Sequence, residues 1–297
     1  MTDLTFVEVS PRDGLQNEQA ILSTADKVEL IRRATRAGAT RLEVASFVNP
    51  ARVPQMADAE AVIAALPRGG ARHIGLVLNR RGAERALKTE IDELGLVVVA
   101  SDTFGIRNQA QSADESVAMA IDALGLAREA ARDAQVTIAV AFGCPFEGPT
   151  PLARVVDIAR RLRAAGFSEI ALADTIGVAT PAQVAGTIAA VRAAVGNGTA
   201  LRVHFHDTRG MGVANVCAAV EAGATTIDAA IGGTGGCPFA PGAAGNVASE
   251  DVAYALGDRL ALDLPALIQT ARWLGEKLGK TPVSALSKAG PFEASLP

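Results

Sequence analysis

Three stretches of the chain share one pattern: AGATRLEVASF at residues 37–47, AGFSEIALADT at 165–175 and AGATTIDAAIG at 222–232. In each, a helical run ends at a glycine (Gly38, Gly166, Gly223) and a short apolar run follows at once. A glycine there suits the left-handed residue just past a helix C-terminus, where a Cβ would be strained. Helix, glycine, strand is the return half of a βαβ unit, so the recurrence predicts an alternating α/β fold.

Outward from these stretches, strands are predicted at 4–10, 41–46, 73–78, 94–100, 136–142, 169–173, 201–206 and 226–231. Helical patterns fill the gaps, among them 24–37, 54–66, 112–132, 151–165, 181–195 and 212–221. The strands read as largely apolar on both faces, as in a parallel sheet covered on both sides. Eight strands with intervening helices predict a (β/α)8 TIM barrel, an architecture that needs about 250 residues. The 297 residues are expected to form one domain, 1–297, with additional C-terminal helices from about residue 246, at 247–256 and 264–278, packing on the barrel. An open doubly wound sheet would place a Gly-rich phosphate turn after the first strand. SPRDGLQNE at 10–18 is not such a turn.

Composition removes several classes of function. The chain is 49% hydrophobic and 20% charged, with a net charge of −4, which supplies a core and excludes disorder. It has no basic run, hence no footprint for nucleic acid, and no apolar run long enough to span a membrane. The opening segment, MTDLTFVEVSPRDG, lacks the features of a signal peptide. Three cysteines (Cys144, Cys217, Cys237) do not make a disulfide framework. The expectation is a soluble cytoplasmic protein with neither a nucleic-acid nor a membrane partner. Only five of the 28 basic residues are lysines: Lys27, Lys88, Lys277, Lys280 and Lys288. None falls on a predicted strand, so a Schiff-base lysine inside the barrel is disfavoured.

Active sites of such barrels lie at the C-terminal ends of the strands. There the sequence places Arg12 and Asp13, then Glu43, Ser46 and Asn49, then Asn79, Ser101, Asp102, Cys144, Asp174 and Thr175. His204, His206 and Asp207 end strand seven, and Cys237 follows strand eight in a loop rich in glycine. His204 and His206, two apart on a strand, point to one face. They form either a hydrogen-bonded pair or half of a metal site, and imidazole is the commonest metal ligand. Asp13 offers a carboxylate and Asn246 an amide oxygen, a set that suits Mg²⁺, Mn²⁺ or Zn²⁺. Arg12 beside Asp13 is either a surface ion pair or a permanent cation for an oxyanion. Cys237 reads as a proton-transfer group in a mobile loop. Cys217 reads as a core residue, and His73 as structural, at the opposite end of the barrel.

The residues that carry these features resemble the hydroxymethylglutaryl-CoA lyase family over nearly the whole chain. The matching segments are Val7–Glu18, Glu43–Pro50, Val53–Asp58, Gly143–Gly148, Ala173–Gly177, His204–Thr208, Gly235–Ala240 and Gly245-Asn246. The resemblance implies that Asp13, His204, His206 and Asn246 bind a divalent cation, Mg²⁺ or Mn²⁺. It implies that Arg12 stabilises an enolate, that Cys237 serves in acid/base transfer and that Glu43 orients Arg12. Asp13 and His204 become candidates to relay the hydroxyl proton, and Asp174 is a further catalytic candidate. The implied reaction is retro-Claisen cleavage of a 3-hydroxy-3-methylglutaryl thioester, with an acyl-CoA as small-molecule partner. A homodimer is compatible with the extra C-terminal helices. Rivals are a lyase for another branched 3-hydroxyacyl-CoA and a forward Claisen synthase of the same group, which the cysteine loop disfavours. A metal-binding barrel without catalysis is the rival from a different class. The chain departs from the family's usual pattern at Arg209-Gly210-Met211, where Tyr-Gly-Gln is common, and at Thr234, Phe239 and the segment 78–107. Those departures bear on the acyl chain rather than on the chemistry.

Overall fold

In the computed structural model, which describes residues 4–67, 69–236 and 245–292, eight parallel strands close into a barrel. They are β1 (Thr5–Glu8), β2 (Arg41–Ser46), β3 (Arg72–Val77), β4 (Glu93–Val99), β5 (Asp133–Ala139), β6 (Glu169–Asp174), β7 (Ala200–Phe205) and β8 (Thr226–Ala229). Each pairs with its neighbours in sequence, and β1 closes on β8 in a register running from Thr5↔Thr226 to Glu8↔Ala229. The expected (β/α)8 TIM barrel is the fold. Gly38, Gly166 and Gly223 take φ values of 100°, 101° and 104°, the left-handed residues that turn each helix back toward its next strand.

The outer ring is α1 (Thr24–Arg36), α2 (Ala59–Ala64), α3 (Arg80–Ala86), α4 (Asp102–Gln109) with α5 (Ala113–Glu129), α6 (Leu152–Ala165), α7 (Pro181–Val195) and α8 (Gly212–Glu221). The C-terminal helices α9 (Ser249–Leu256) and α10 (Leu264–Leu278) complete it: α9 packs on α8, and α10 packs on α1. A short α11 (Ala285–Ala289) follows. Trp273 of α10 lies under the guanidinium of Arg33, 4.6 Å from ring centre to Cζ. The main apolar core fills the space between sheet and helices.

The barrel interior differs from the expectation of strands apolar on both faces. A small apolar cluster, Val7, Val9, Ile74 and Ala230, stands apart from the main core. Alternate positions on the inward face carry buried charge instead. The Arg41 guanidinium pairs with Glu93 and, at 2.8 Å, with Glu169. Arg202, fully buried, grips Asp228 through Nε at 2.5 Å and Nη2 at 2.9 Å, with Glu169 at 3.7 Å from Nη1. Helices cannot reach the inside of a closed barrel, so what lies there must satisfy itself. Charges persist in such a place only when paired.

Many of the polar residues collected at the C-terminal ends are helix caps. Asn79 accepts the Gly82 amide at 2.9 Å and Ser101 the Phe104 amide at 3.1 Å, opening α3 and α4. Asp102 accepts the Ala113 amide, and Asp207 that of Gly212. The end of each strand is the approach to the next helix, so cap residues gather there for reasons of their own. None of the five lysines lies on a barrel strand.

Candidate active site

The ends of β1 and β7 bring three ligating side chains together. After β1 the backbone makes a tight turn, Ser10–Gly14, in which the amides of Arg12, Asp13 and Gly14 all point at the Val9 carbonyl. That turn lifts Arg12 and Asp13 over the barrel mouth. On β7 the alternation Arg202, His204, His206 sends every second side chain inward. Asp13 Oδ2 stands 3.8 Å from His204 Nε2 and 3.9 Å from His206 Nε2. One ligand atom from each of the three lies within 4.8 Å of the others.

Asn246 completes the group from the far end of the chain. Its Nδ2 donates to Asp13 Oδ2 at 2.8 Å and to the Thr234 carbonyl at 3.0 Å. Its Oδ1 is buried with no partner among the described residues. A buried orphan acceptor is rare in native proteins, and one beside two imidazoles and a carboxylate fits a cation's ligand set.

The protonation of the cluster follows from its neighbours. Asp228 Oδ2 accepts from His204 Nδ1 at 3.1 Å, which leaves Nε2 as the lone-pair nitrogen facing Asp13. Burial works against a charged His204, but Asp228 and Asp13 outweigh it and raise its pKa. His206 lacks the Asp228 partner, and burial together with the charge of His204 outweighs Asp13 and pulls it down to about 4. Burial alone would raise Asp13, but Arg12 and the two histidines hold it well below the usual carboxylate range.

Arg12 is clamped on both sides. Nη1 donates to Asp13 Oδ1 at 2.6 Å and Nη2 to Glu43 Oε2 at 2.5 Å. Burial disfavours its charge, yet Glu43 and Asp13 more than offset this. Its Nε is buried and unpartnered among the described residues, a donor left over for something in the cleft. Of the two readings of Arg12 open in the sequence, the surface ion pair is excluded, because the guanidinium lines the cleft.

The cleft encloses about 190 Å³ and has two unlike walls. Arg12, Asp13, Glu43, His204, His206 and Asp228 form the charged wall, opposite Leu76, Leu78, Val97, Phe104 and Ala139. Asp174 is not part of either: its oxygens accept the amides of Val178 and Ala179 at 2.9 and 2.8 Å, and burial raises its pKa. It shapes the turn after β6, and its neighbour Thr175 lines the cleft instead. Cys144 is buried, with Sγ 3.0 Å from Ser101 Oγ. His73 is buried at the start of β3, at the opposite end of the barrel, where burial lowers its pKa. Cys237 lies outside the described residues. Asp228 and Arg202 were not legible as site residues. The one local sign of each is a lone charge within a short, otherwise largely apolar strand.

A group that could hold a cation stands beside a clamped arginine at this end of the barrel, and a match over most of the chain's length decides the family. The HMGL-like family model matches residues 3–273. The chain belongs to the HMGL-like family. It is 38% identical over 281 residues to the hydroxymethylglutaryl-CoA lyase YngG of Bacillus subtilis, covering 93% of this chain and 94% of that one. It is 41% identical over 306 aligned residues to the (R)-citramalyl-CoA lyase of Chloroflexus aurantiacus, covering 98% and 96%. An HMG-CoA lyase of Acinetobacter baumannii, solved with coenzyme A and 3-methylmalate, superposes with a TM-score of 0.93 at 39% identity, covering 99% and 97% of the two chains. The HMGL-like chain described here is accordingly an enzyme, a carbon–carbon lyase.

Proposed function

We propose that this lyase cleaves 3-hydroxy-3-methylglutaryl-CoA to acetyl-CoA and acetoacetate, a divalent-metal-dependent retro-Claisen reaction in the cytoplasm. The observation that carries the reading is the orphan Oδ1 of Asn246, set among Asp13, His204 and His206 and beside Arg12. Asp13, His204, His206 and Asn246 would hold Mg²⁺ or Mn²⁺, whose Lewis acidity makes a tertiary hydroxyl a better acid.

The rest of the chemistry falls to the chain's own groups. The substrate hydroxyl gives its proton to Asp13 or His204. The oxygen's electron pair becomes the ketone C=O while the Cα–Cβ bond breaks. The electrons of that bond move into the thioester carbonyl, whose oxygen becomes an enolate. Arg12, fixed by Glu43 and permanently charged, donates to that oxygen. Cys237 then gives its thiol proton to the enolate carbon, which yields acetyl-CoA, and the thiolate regains through solvent the proton first lost by the hydroxyl.

The (R)-citramalyl-CoA reading has its own support, the 41% identity to a lyase of that name. That substrate carries its carboxylate directly on the carbinol carbon, one methylene closer than in the methylglutaryl chain. Both thioesters release acetyl-CoA, so the second product distinguishes them: acetoacetate from one, pyruvate from the other. The test is purified protein with Mg²⁺ or Mn²⁺ and each thioester in turn. Acetyl-CoA with acetoacetate, abolished by a chelator, is the expected result. Pyruvate production with no cleavage of the methylglutaryl thioester moves the assignment to the second reading.

A further inference from the structure

The two walls of the cleft divide a 3-hydroxyacyl thioester between them. Its hydroxyl, carboxylate and thioester oxygen belong with the cation ligands and Arg12 on the charged wall. What remains on the carbinol carbon is an alkyl substituent, a methyl in both 3-hydroxy-3-methylglutaryl-CoA and (R)-citramalyl-CoA. That group falls to the apolar wall, Leu76, Leu78, Val97, Phe104 and Ala139. Leu78, Val97 and Phe104 lie within 78–107, where the sequence departs from the family's usual pattern.

Phe104 differs from the other four in what stands behind it. Leu76, Val97 and Ala139 project from β3, β4 and β5, and Leu78 directly follows β3, so the barrel strands back them. Phe104 comes from the first turn of α4, and its ring packs on a second ring, that of Phe146, with centroids 6.4 Å apart. Phe146 does not line the cleft and is 36% exposed, against 3% for Phe104. The Arg107 guanidinium lies over Phe146, 4.2 Å from its centroid. The Phe104 ring is therefore a partition between the cleft and a partly open aromatic patch.

The partition is tied in place. Ser101 Oγ accepts the Phe104 amide at 3.1 Å and stands 3.0 Å from Cys144 Sγ, and the Thr103 amide donates to Glu147 Oε1 at 2.8 Å. These contacts join the start of α4 to the hairpin at 143–149, which carries Phe146. A longer alkyl group meets a ring that cannot swing aside without moving the hairpin.

We infer that Phe104 is the specificity-determining residue for the alkyl substituent of the carbinol carbon, admitting a methyl there and turning away longer chains. The role rests on the retro-Claisen reading, under which that substituent stays with the ketone product.

The experiment compares 3-hydroxy-3-methylglutaryl-CoA with its analogue carrying butyl in place of the methyl, on wild type, Phe104→Ala and Val97→Ala. One misfitting methylene in an apolar pocket costs about 10–200-fold, so wild type is expected to favour the methyl compound by about 100-fold or more in kcat/KM. Phe104→Ala opens the cleft toward Phe146 and is expected to cut that preference to about tenfold or less, chiefly by speeding the butyl compound. Val97→Ala leaves a dent closed off by β4 and is expected to keep the preference within about threefold of wild type. If Phe104→Ala does not fold, Phe104→Leu, which keeps apolar packing and loses the breadth of the ring, carries the same expectation. A second arm reads the dissociation constants of both thioesters by calorimetry in EDTA, with the same ranking of variants expected. A wild type indifferent to chain length overturns the inference, as does a preference unchanged in Phe104→Ala or narrowed equally by Val97→Ala. A wild type that binds both thioesters and cleaves neither refutes the proposed reaction, while the binding arm still decides the role of Phe104.

Discussion

Replacing Asp228 by Asn tests how the barrel interior serves the ligand cluster. Asp228 holds Arg202 with two short bonds and His204 Nδ1 with a third, all buried. Asn keeps the shape and loses the charge, and one of its two terminal atoms becomes a donor facing Arg202 or His204. Arg202 would then retain only Glu169, 3.7 Å away. Breaking a buried pair in this way costs about 3–5 kcal/mol of stability. The second effect is local: without its acceptor, His204 loses the bond that aims Nε2 at Asp13. Loss of such an outer partner lowers metal affinity about 10–100-fold, or about 1.4–2.8 kcal/mol. Mn²⁺ titration followed by electron paramagnetic resonance reads the affinity, and urea unfolding of the metal-free protein reads the stability. Lower stability with Mn²⁺ affinity within twofold of wild type would refute the reasoning, because His204 would then be oriented by something other than Asp228.

Arg12→Lys keeps the charge but not the fork that reaches Asp13 and Glu43 together, and steady-state kinetics should show kcat down about 100- to 1000-fold with a smaller change in KM. A kcat within tenfold would remove Arg12 as the enolate donor. Mn²⁺ affinity should fall as pH drops, since the metal must displace a proton from His204, whose pKa is raised, while His206 stays neutral down to about 4. Calorimetry in buffers of different ionisation enthalpy should find about one proton released per Mn²⁺ as His204 becomes protonated, and release of two would place His206 wrongly. Burial pushes Glu8 up to about 7 from 4.5. The unfolded chain therefore ionises first, stability falls as pH rises from about 4.5 to 7, and the penalty levels off near 3 kcal/mol. Glu8→Gln removes that penalty, so its melting temperature relative to wild type should climb between pH 5 and pH 8; a flat difference contradicts the account.

Legibility in the sequence followed physical visibility. The glycines that end helices and the apolar runs after them are strong local signals, and they led to the barrel. His204 and His206 stood out because two rare polar residues share one face of a strand. β5 shows where such reading fails. The apolar run at 136–142 predicts the strand, but the strand is Asp133–Ala139. Two of its first three residues, Asp133 and Gln135, are polar, and Val140, at φ 50°, already leaves the sheet. α3 and α4 were missed because one is short and the other is only weakly amphipathic. The run at 54–66 reads as a single helix, yet it breaks into a turn at Pro54–Met56 and the short α2. Arg41, Glu93, Glu169, Arg202 and Asp228 were invisible as a group, since barrel closure brings their five strands together and no local pattern records it. Asp174 ends a strand as a catalytic acid would, and the structure adds what the sequence did not show, that its oxygens accept the amides of Val178 and Ala179.

The most direct measurement is a competition in one vessel. The enzyme with Mg²⁺ receives equal amounts of 3-hydroxy-3-methylglutaryl-CoA and (R)-citramalyl-CoA, and acetoacetate and pyruvate are followed together. The account predicts acetoacetate in step with acetyl-CoA, little pyruvate, and neither product once EDTA is added. Pyruvate as the main product, or acetoacetate formed at an undiminished rate in EDTA, would contradict it.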